Sequence, residues 1–384
     1  MATTSSCRPF YRINRISSHI KQKQLLRRPT VARFLSSQAE DDVLFEDRKY
    51  GNVLITLNRQ KALNALDGSM VMKLTPKYQA WVGFILQTGR KTSDLVNVRF
   101  AGAGGKAFCA GGDIKAIYDS KKQGLPPREC CAFFNDEYVL NQLIGNLPET
   151  LPQVAILNGI TMGGGVGLSV HGKYRVATDN TMFAMPETAI GFFCDVGGSY
   201  FLPRLKRNLG TYLALTGARL VGPEVALAGI ATHFVKSESL LDFENELLSS
   251  PYTEIERVFR MTDDYPCSAL WERLDPIERC FGHASVEDII ESLEKESSQE
   301  FASMCLKLLK KMSPTSLKVV LRQMQEGAKR DFTQCFKMEL LMSERFMERD
   351  DFFEGVRALL VDKDKSPKWN PPTLQEVLSS RTKR

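Results

Sequence analysis

Hydrophobic and polar positions follow two rhythms along this chain. Short apolar runs bounded by glycine or turn residues fall at 43–46, 52–57, 96–101, 154–157 and 174–177, and runs of that length read as strands. The first two flank the turn Lys49-Tyr50-Gly51 and predict a pair. From Asn58 the spacing turns helical, which predicts a helix running to about Trp81. A glycine-rich loop, 102–105, follows the strand at 96–101, and the stretch 106–114 leads into another helix. Strand, glycine turn and helix recur at 154–171 and more weakly from 174, so this part of the chain is an α/β domain. Beyond about Val235 the helical period dominates, at 254–260, 286–296, 301–311, 316–325 and 334–349. The pattern divides the chain into a leader (1–36), an α/β core (40–235) and a helical C-terminal domain (236–384).

Charge changes the picture at the N-terminus. The first 39 residues hold eight Lys or Arg and no Asp or Glu, with much Ser and Thr, the composition of a mitochondrial or chloroplast transit peptide. A retained basic tail is the alternative. The Arg33-Phe34-Leu35-Ser36-Ser37 stretch has the form of a matrix-protease site, which makes the mitochondrial matrix the expected location. The whole chain carries 51 basic and 45 acidic residues; without the leader the balance is 43 against 45, a net −2. The basic character belongs to the leader, and the remainder has no general attraction to nucleic acid. No apolar run approaches the roughly 20 residues that span a bilayer, so no membrane partner is expected. Nine cysteines without a CxxC pair read as reduced thiols, and four histidines leave little for a His-rich metal site.

The chemistry concentrates between Ala155 and Asp195. There Gly163, Gly164 and Gly165 precede a segment that can start a helix, and Glu187 and Asp195 follow in apolar surroundings. Amides at a helix start are unpaired and suit a developing negative oxygen. Oxyanion donors beside a carboxylate point to acyl chemistry. Taken singly, the glycines could serve close packing, Glu187 a helix start, and Asp195 a turn. The run Gly167-Leu168-Ser169-Val170-His171 nearly spells a GxSxG elbow but lacks its last glycine, and 102–107 fits only a loose dinucleotide fingerprint.

The segments 105–116, 158–172, 183–193, 195–205, 313–321 and 354–369, in this order, resemble the crotonase superfamily, in its acyl-CoA hydrolase branch. The resemblance covers roughly 43–375. It implies an α/β fold of the crotonase type, a spiral of ββα units with a helical C-terminal region. It implies a coenzyme A thioester whose carbonyl sits in an oxyanion hole made by the Gly112 and Gly164 amides. Glu187 matches the catalytic carboxylate, Asp195 the second acid of the hydrolase branch, and Glu137 a further substrate-contacting glutamate, for which a solvated helix position is the alternative. Hydratases of the superfamily carry a second glutamate where this chain has Gly167, and a glycine where it has Asp195. The implied activity is hydrolysis of 3-hydroxyisobutyryl-CoA, a step of valine breakdown, with Glu187 as nucleophile or as base for a water. No cofactor is implied beyond the CoA carried by the substrate. A structural subunit of a mitochondrial assembly such as the ribosome, and a hydratase or isomerase on another acyl-CoA, are the alternatives. Oligomeric state is left open, a homo-oligomer included.

Three departures from the family pattern stand out. Cys194 occupies the usual place of a proline, which frees φ in the loop holding Asp195. Two strand-like runs, 83–87 and 95–101, stand where one is expected, an arrangement that would disturb the sheet beside the oxyanion loop. The stretch 147–152 is also about two residues long.

Overall fold

The computed structural model describes residues 41–88, 98–264 and 269–377; the leader expected at 1–36 lies outside them. The predicted hairpin is present as β1 (Val43–Asp47) and β2 (Val53–Leu57), antiparallel in register Phe45 to Ile55. Eight further strands follow: β3 (Val98–Gly102), β4 (Ala107–Cys109), β5 (Gln153–Leu157), β6 (Ile160–Met162), β7 (Tyr174–Ala177), β8 (Met182–Ala184), β9 (Leu220–Val221) and β10 (His233–Phe234). One sheet runs β1-β2-β3-β5-β7-β10, parallel from β2 onward, and the other runs β4-β6-β8-β9. Each of β3, β5 and β7 is followed at once by a short strand in the second sheet and then by a helix or helical turn. That repeat is the spiral of ββα units implied by the resemblance.

The sequence explains why β5 lies deep. All five of its residues are buried, as a parallel strand covered on both faces requires. Alternate residues serve different cores: Ala155 and Leu157 join the main cluster, while Val154 and Ile156 face the Leu240–Ser249 helix side with Phe243 and Leu247. The main cluster runs from Val43 to Val356 and takes in Leu270, Ile289, Val320 and Phe346. The C-terminal helices therefore pack into the same core that carries the glycine loops.

Helix boundaries follow their caps. Ser313 accepts from the Ser316 amide and Pro314 takes the first turn, so that helix spans Pro314–Gly327 and starts two residues before the apolar period. A capping box between Asp331 and Gln334 sets Phe332–Met347 in the same way. The strand-like run 83–87 is corrected: it forms the last turns of the helix Gly68–Thr88. Met70, Val71, Leu74 and Tyr78 bury one face of that helix at helical spacing, and the short apolar run simply extends it. β3 pairs with both β2 and β5, so the sheet beside the loop expected to hold the oxyanion donor is intact.

Candidate active site

Three elements bring the candidate residues together. After β4, the loop at Gly111-Gly112 is pinned against Leu66: the Leu66 amide donates to the Gly111 carbonyl (2.8 Å) and the Asp113 amide to the Leu66 carbonyl (2.8 Å). Arg59 braces the same loop, donating to Asp113 Oδ2 at 2.9 Å and to the Ala65 carbonyl at 2.6 Å. The bridge to Leu66 turns the Gly112 N–H the other way, and among the described residues that amide has no acceptor. After β6, Gly163 takes φ 43°, a left-handed value that glycine tolerates, and starts the helix Gly164–Ser169. The Gly164 amide is the first of its orphan donors.

The glycines divide their work. A methyl on Gly165 would stand 2.3 Å from the Cys109 carbonyl, so that residue serves helix–strand packing. On Gly164 it would stand 2.5 Å from Glu137 Oε1 and 3.1 Å from the Gly112 nitrogen, and on Gly163 it would stand 3.1 Å from Glu187 Oε1. The two expected oxyanion amides, Glu137 and Glu187 thus border one short stretch of backbone. The close-packing reading of the glycine run holds at Gly165.

Glu137 lies on the helix Ala132–Gly145 and is 1% exposed, with no partner for Oε1; the solvated reading does not hold. Glu187 opens a single 3-10 turn after Pro186, is buried, and has no partner for Oε2. Asp195 is buried and accepts a 2.9 Å hydrogen bond from the Tyr138 hydroxyl. Burial, then the charges of Asp195 and Glu187, pushes Glu137 well above the usual carboxylate range. Burial and then Asp195 do the same to Glu187, against a lowering contact from the Cys194 thiol. Asp195 is pushed by burial up to about 7, with the Tyr138 hydroxyl opposing the rise. Three like charges buried together oppose one another's ionisation, so these acids titrate as a coupled group. Among the described residues no three His, Cys, Asp or Glu side chains are placed to hold a metal ion.

The loop after Cys194 is held firmly, contrary to the expectation raised by the missing proline. Gln323 donates to the Cys194 carbonyl at 2.6 Å, and His171 Nε2–H donates to the Val196 carbonyl at 2.7 Å. Glu339, from Phe332–Met347, accepts from the Gly197 amide at 2.8 Å, the Ser199 amide at 2.9 Å and the Ser199 hydroxyl. These supports replace the fixed φ that proline would supply. Val196 sits at φ 50°, an outlier for a β-branched residue. Sequence reasoning missed Tyr138, Gln323 and Glu339, whose roles come from elements far apart in the chain; only Tyr138, beside Glu137, carried a local hint.

Gly167 is closed to any side chain. A methyl there would stand 2.7 Å from Val196 Cβ and 2.8 Å from Asn141 Oδ1. Ser169, the near-elbow serine, is buried and donates to the Gly165 carbonyl at 2.9 Å, a structural bond. Lys115 pairs on the surface with Asp119.

A family model described as enoyl-CoA hydratase/isomerase matches residues 53–384. The chain is 51% identical over 354 residues to a Dictyostelium discoideum protein named "3-hydroxyisobutyryl-CoA hydrolase, mitochondrial", covering 89% of this chain and 90% of that one. It is 44% identical over 379 residues to the Homo sapiens protein of the same name, covering 96% and 91%. Among solved structures, a carnitinyl-CoA dehydratase from Mycobacterium thermoresistibile is similar at a TM-score of 0.80 and 36% identity, over 88% of this chain and 94% of that one.

Proposed function

The chain belongs to the enoyl-CoA hydratase/isomerase family, and we propose that it hydrolyses 3-hydroxyisobutyryl-CoA with Glu187 and Asp195 as its working acids and the Gly112 and Gly164 amides as oxyanion donors. It is an acyl-CoA thioester hydrolase of valine breakdown, releasing 3-hydroxyisobutyrate and free CoA, and it works in the mitochondrion, as the names of its relatives state for them.

In this reading the thioester carbonyl oxygen takes up charge between the two amides, where each donor contributes about 10²–10³ in rate. Ionised Glu187 attacks the carbonyl carbon, the C–S bond breaks, and the CoA sulfur leaves with a proton from the acid pool. Water then splits the resulting mixed anhydride. In the alternative route Glu187 takes a proton from the water that attacks. A carboxylate pushed upward by burial is the stronger base and nucleophile once ionised. Glu137 borders the oxyanion side, and Asp195 orients the water or substrate. We propose no resident cofactor, because CoA enters with the substrate and these groups supply the chemistry.

The observation that favours hydrolysis over hydration is the filled space at Gly167, which leaves no room for a second acid there. The test is thiol release from 3-hydroxyisobutyryl-CoA by the purified protein beside Glu187→Gln, with enoyl-CoA substrates in parallel. Release that vanishes in the variant is expected. A folded protein that releases no thiol, or that adds water to an enoyl-CoA instead, would sink the reading.

A further inference from the structure

We infer that Asp351 is the positioning residue for Glu187: through the Ser313 hydroxyl it fixes the turn from which the Glu187 carboxylate works. The inference rests on the hydrolase reading and goes beyond it by naming what aims its nucleophile or base.

Glu187 stands on a single 3-10 turn, Glu187–Ile190. A turn that short has weak hydrogen-bond geometry of its own and takes its direction from its neighbours. Its Thr188 carbonyl accepts from the Ser313 amide at 3.1 Å. Ser313 is held in turn: its hydroxyl donates to Asp351 Oδ2 at 2.6 Å and accepts from the Ser316 amide at 3.1 Å. A hydroxyl has one proton to give. Asp351 takes it, which leaves the oxygen lone pairs turned toward the start of the helix Pro314–Gly327. The other carboxylate oxygen of Asp351, Oδ1, accepts from the Asn370 backbone amide at 2.8 Å. Both oxygens are thus committed, in a buried residue.

The backbone of Asp351 presses on the same turn. A methyl on Gly191, which closes the turn at φ 70°, would stand 2.4 Å from the Asp351 carbonyl oxygen. A methyl on Gly355, in the helix Asp351–Val356, would stand 2.4 Å from the Ile190 carbonyl carbon. Phe352 extends the contact, its ring centroid 5.1 Å from that of Phe192. One residue therefore reaches the Glu187 turn twice, at Thr188 through Ser313 and at Gly191 through its own main chain.

The experiment measures kcat and KM for 3-hydroxyisobutyryl-CoA, with thermal melts, in the full-length wild type and in Asp351→Ala, Asp351→Asn, Ser313→Ala and Glu354→Ala. A working group displaced by about 1 Å loses on the order of 10² in rate, so kcat should fall by about 10–10² in Asp351→Ala with KM nearly unchanged. Asp351→Asn keeps an acceptor for the Asn370 amide and sets an N–H against the Ser313 oxygen, so it should recover part of kcat. Ser313→Ala cuts the same relay and should show the same split, which decides the matter if Asp351→Ala does not fold. Glu354→Ala is the control: it frees the Lys368 amide and the Arg357 guanidinium from the same helix and leaves Ser313 alone. It should lower the melt and keep the wild-type kcat. Normal turnover in folded Asp351→Ala or Ser313→Ala, or a kcat lost equally in Glu354→Ala, would overturn the assignment and leave the hydrolase reading standing. A folded wild type that releases no thiol would overturn both.

Discussion

The Tyr138 hydroxyl donates to Asp195 Oδ2 across 2.9 Å, with both residues buried. This bond stabilises the charged form of Asp195 and restrains a pKa that burial has carried to about 7. Tyr138→Phe removes the donor and lets the pKa rise further. The acid limb of the kcat/KM profile should therefore move to higher pH, with activity depressed near pH 7 and recovered in alkaline buffer. A uniform loss at every pH would mean that the hydroxyl acts elsewhere.

Stability should decline as pH rises from about 5 to 8. A carboxyl whose folded pKa is raised lends stability in full below its ordinary value and loses it as pH climbs through the folded value. Those folded values are about 7 for Asp195 and about 8 for Glu339, while Glu137 and Glu187 are also pushed upward. His171 works in the opposite direction: burial lowers it to about 4, so its contribution is lost only as the solution is acidified. Melting temperature against pH should slope downward in wild type and more gently in Asp195→Asn. A flat or rising curve between pH 5 and 8 would contradict the burial of these acids.

The sequence carried the strands, the glycine turns and the positions of Glu187 and Asp195 on local signals, while Glu137 was singled out only by the family resemblance. Apolar runs between turn residues announce β5 and β7, and the glycines mark close backbone approaches. The run 83–87 misled because a short apolar stretch has no period of its own, and the helix arriving from Gly68 decides its state. Glu339 was not legible: it lies 142 residues from Gly197, to which it bonds, and nothing in its neighbourhood marks it as other than a helix glutamate. The missing proline at Cys194 had the same blind spot, since its replacements come from Gln323, His171 and Glu339.

Gly167 offers a direct test of branch within the family. Gly167→Ala forces a methyl to within 2.7 Å of Val196 Cβ and 2.8 Å of Asn141 Oδ1, an overpacking that typically costs about 1–3 kcal/mol. Gly167→Glu should cost more and should confer no water addition to enoyl-CoA, because the carboxylate has nowhere to lie. Measurable hydration by that variant would show the space to be open.

Glu339 should govern turnover without touching substrate. Its carboxylate gathers the Gly197 amide, the Ser199 amide and the Ser199 hydroxyl, and so anchors the loop that begins at Asp195. Inside that loop Val196 holds φ 50°, a strain of about 1–3 kcal/mol that only surrounding contacts can maintain. Glu339→Ala strands two buried amides, each at about 1–3 kcal/mol, so the melt should drop by several degrees. Once released, Val196 can relax toward ordinary backbone angles and carry Asp195 away from Glu187. The loss should fall on kcat, with KM for 3-hydroxyisobutyryl-CoA nearly unchanged, because the amides proposed as oxyanion donors, Gly112 and Gly164, stand on other loops. Glu339→Gln keeps one acceptor oxygen and should lie between wild type and Glu339→Ala in both melt and kcat. Should KM rise while kcat holds, the loop contributes to binding, and Glu339 is not positioning Asp195 for the chemical step.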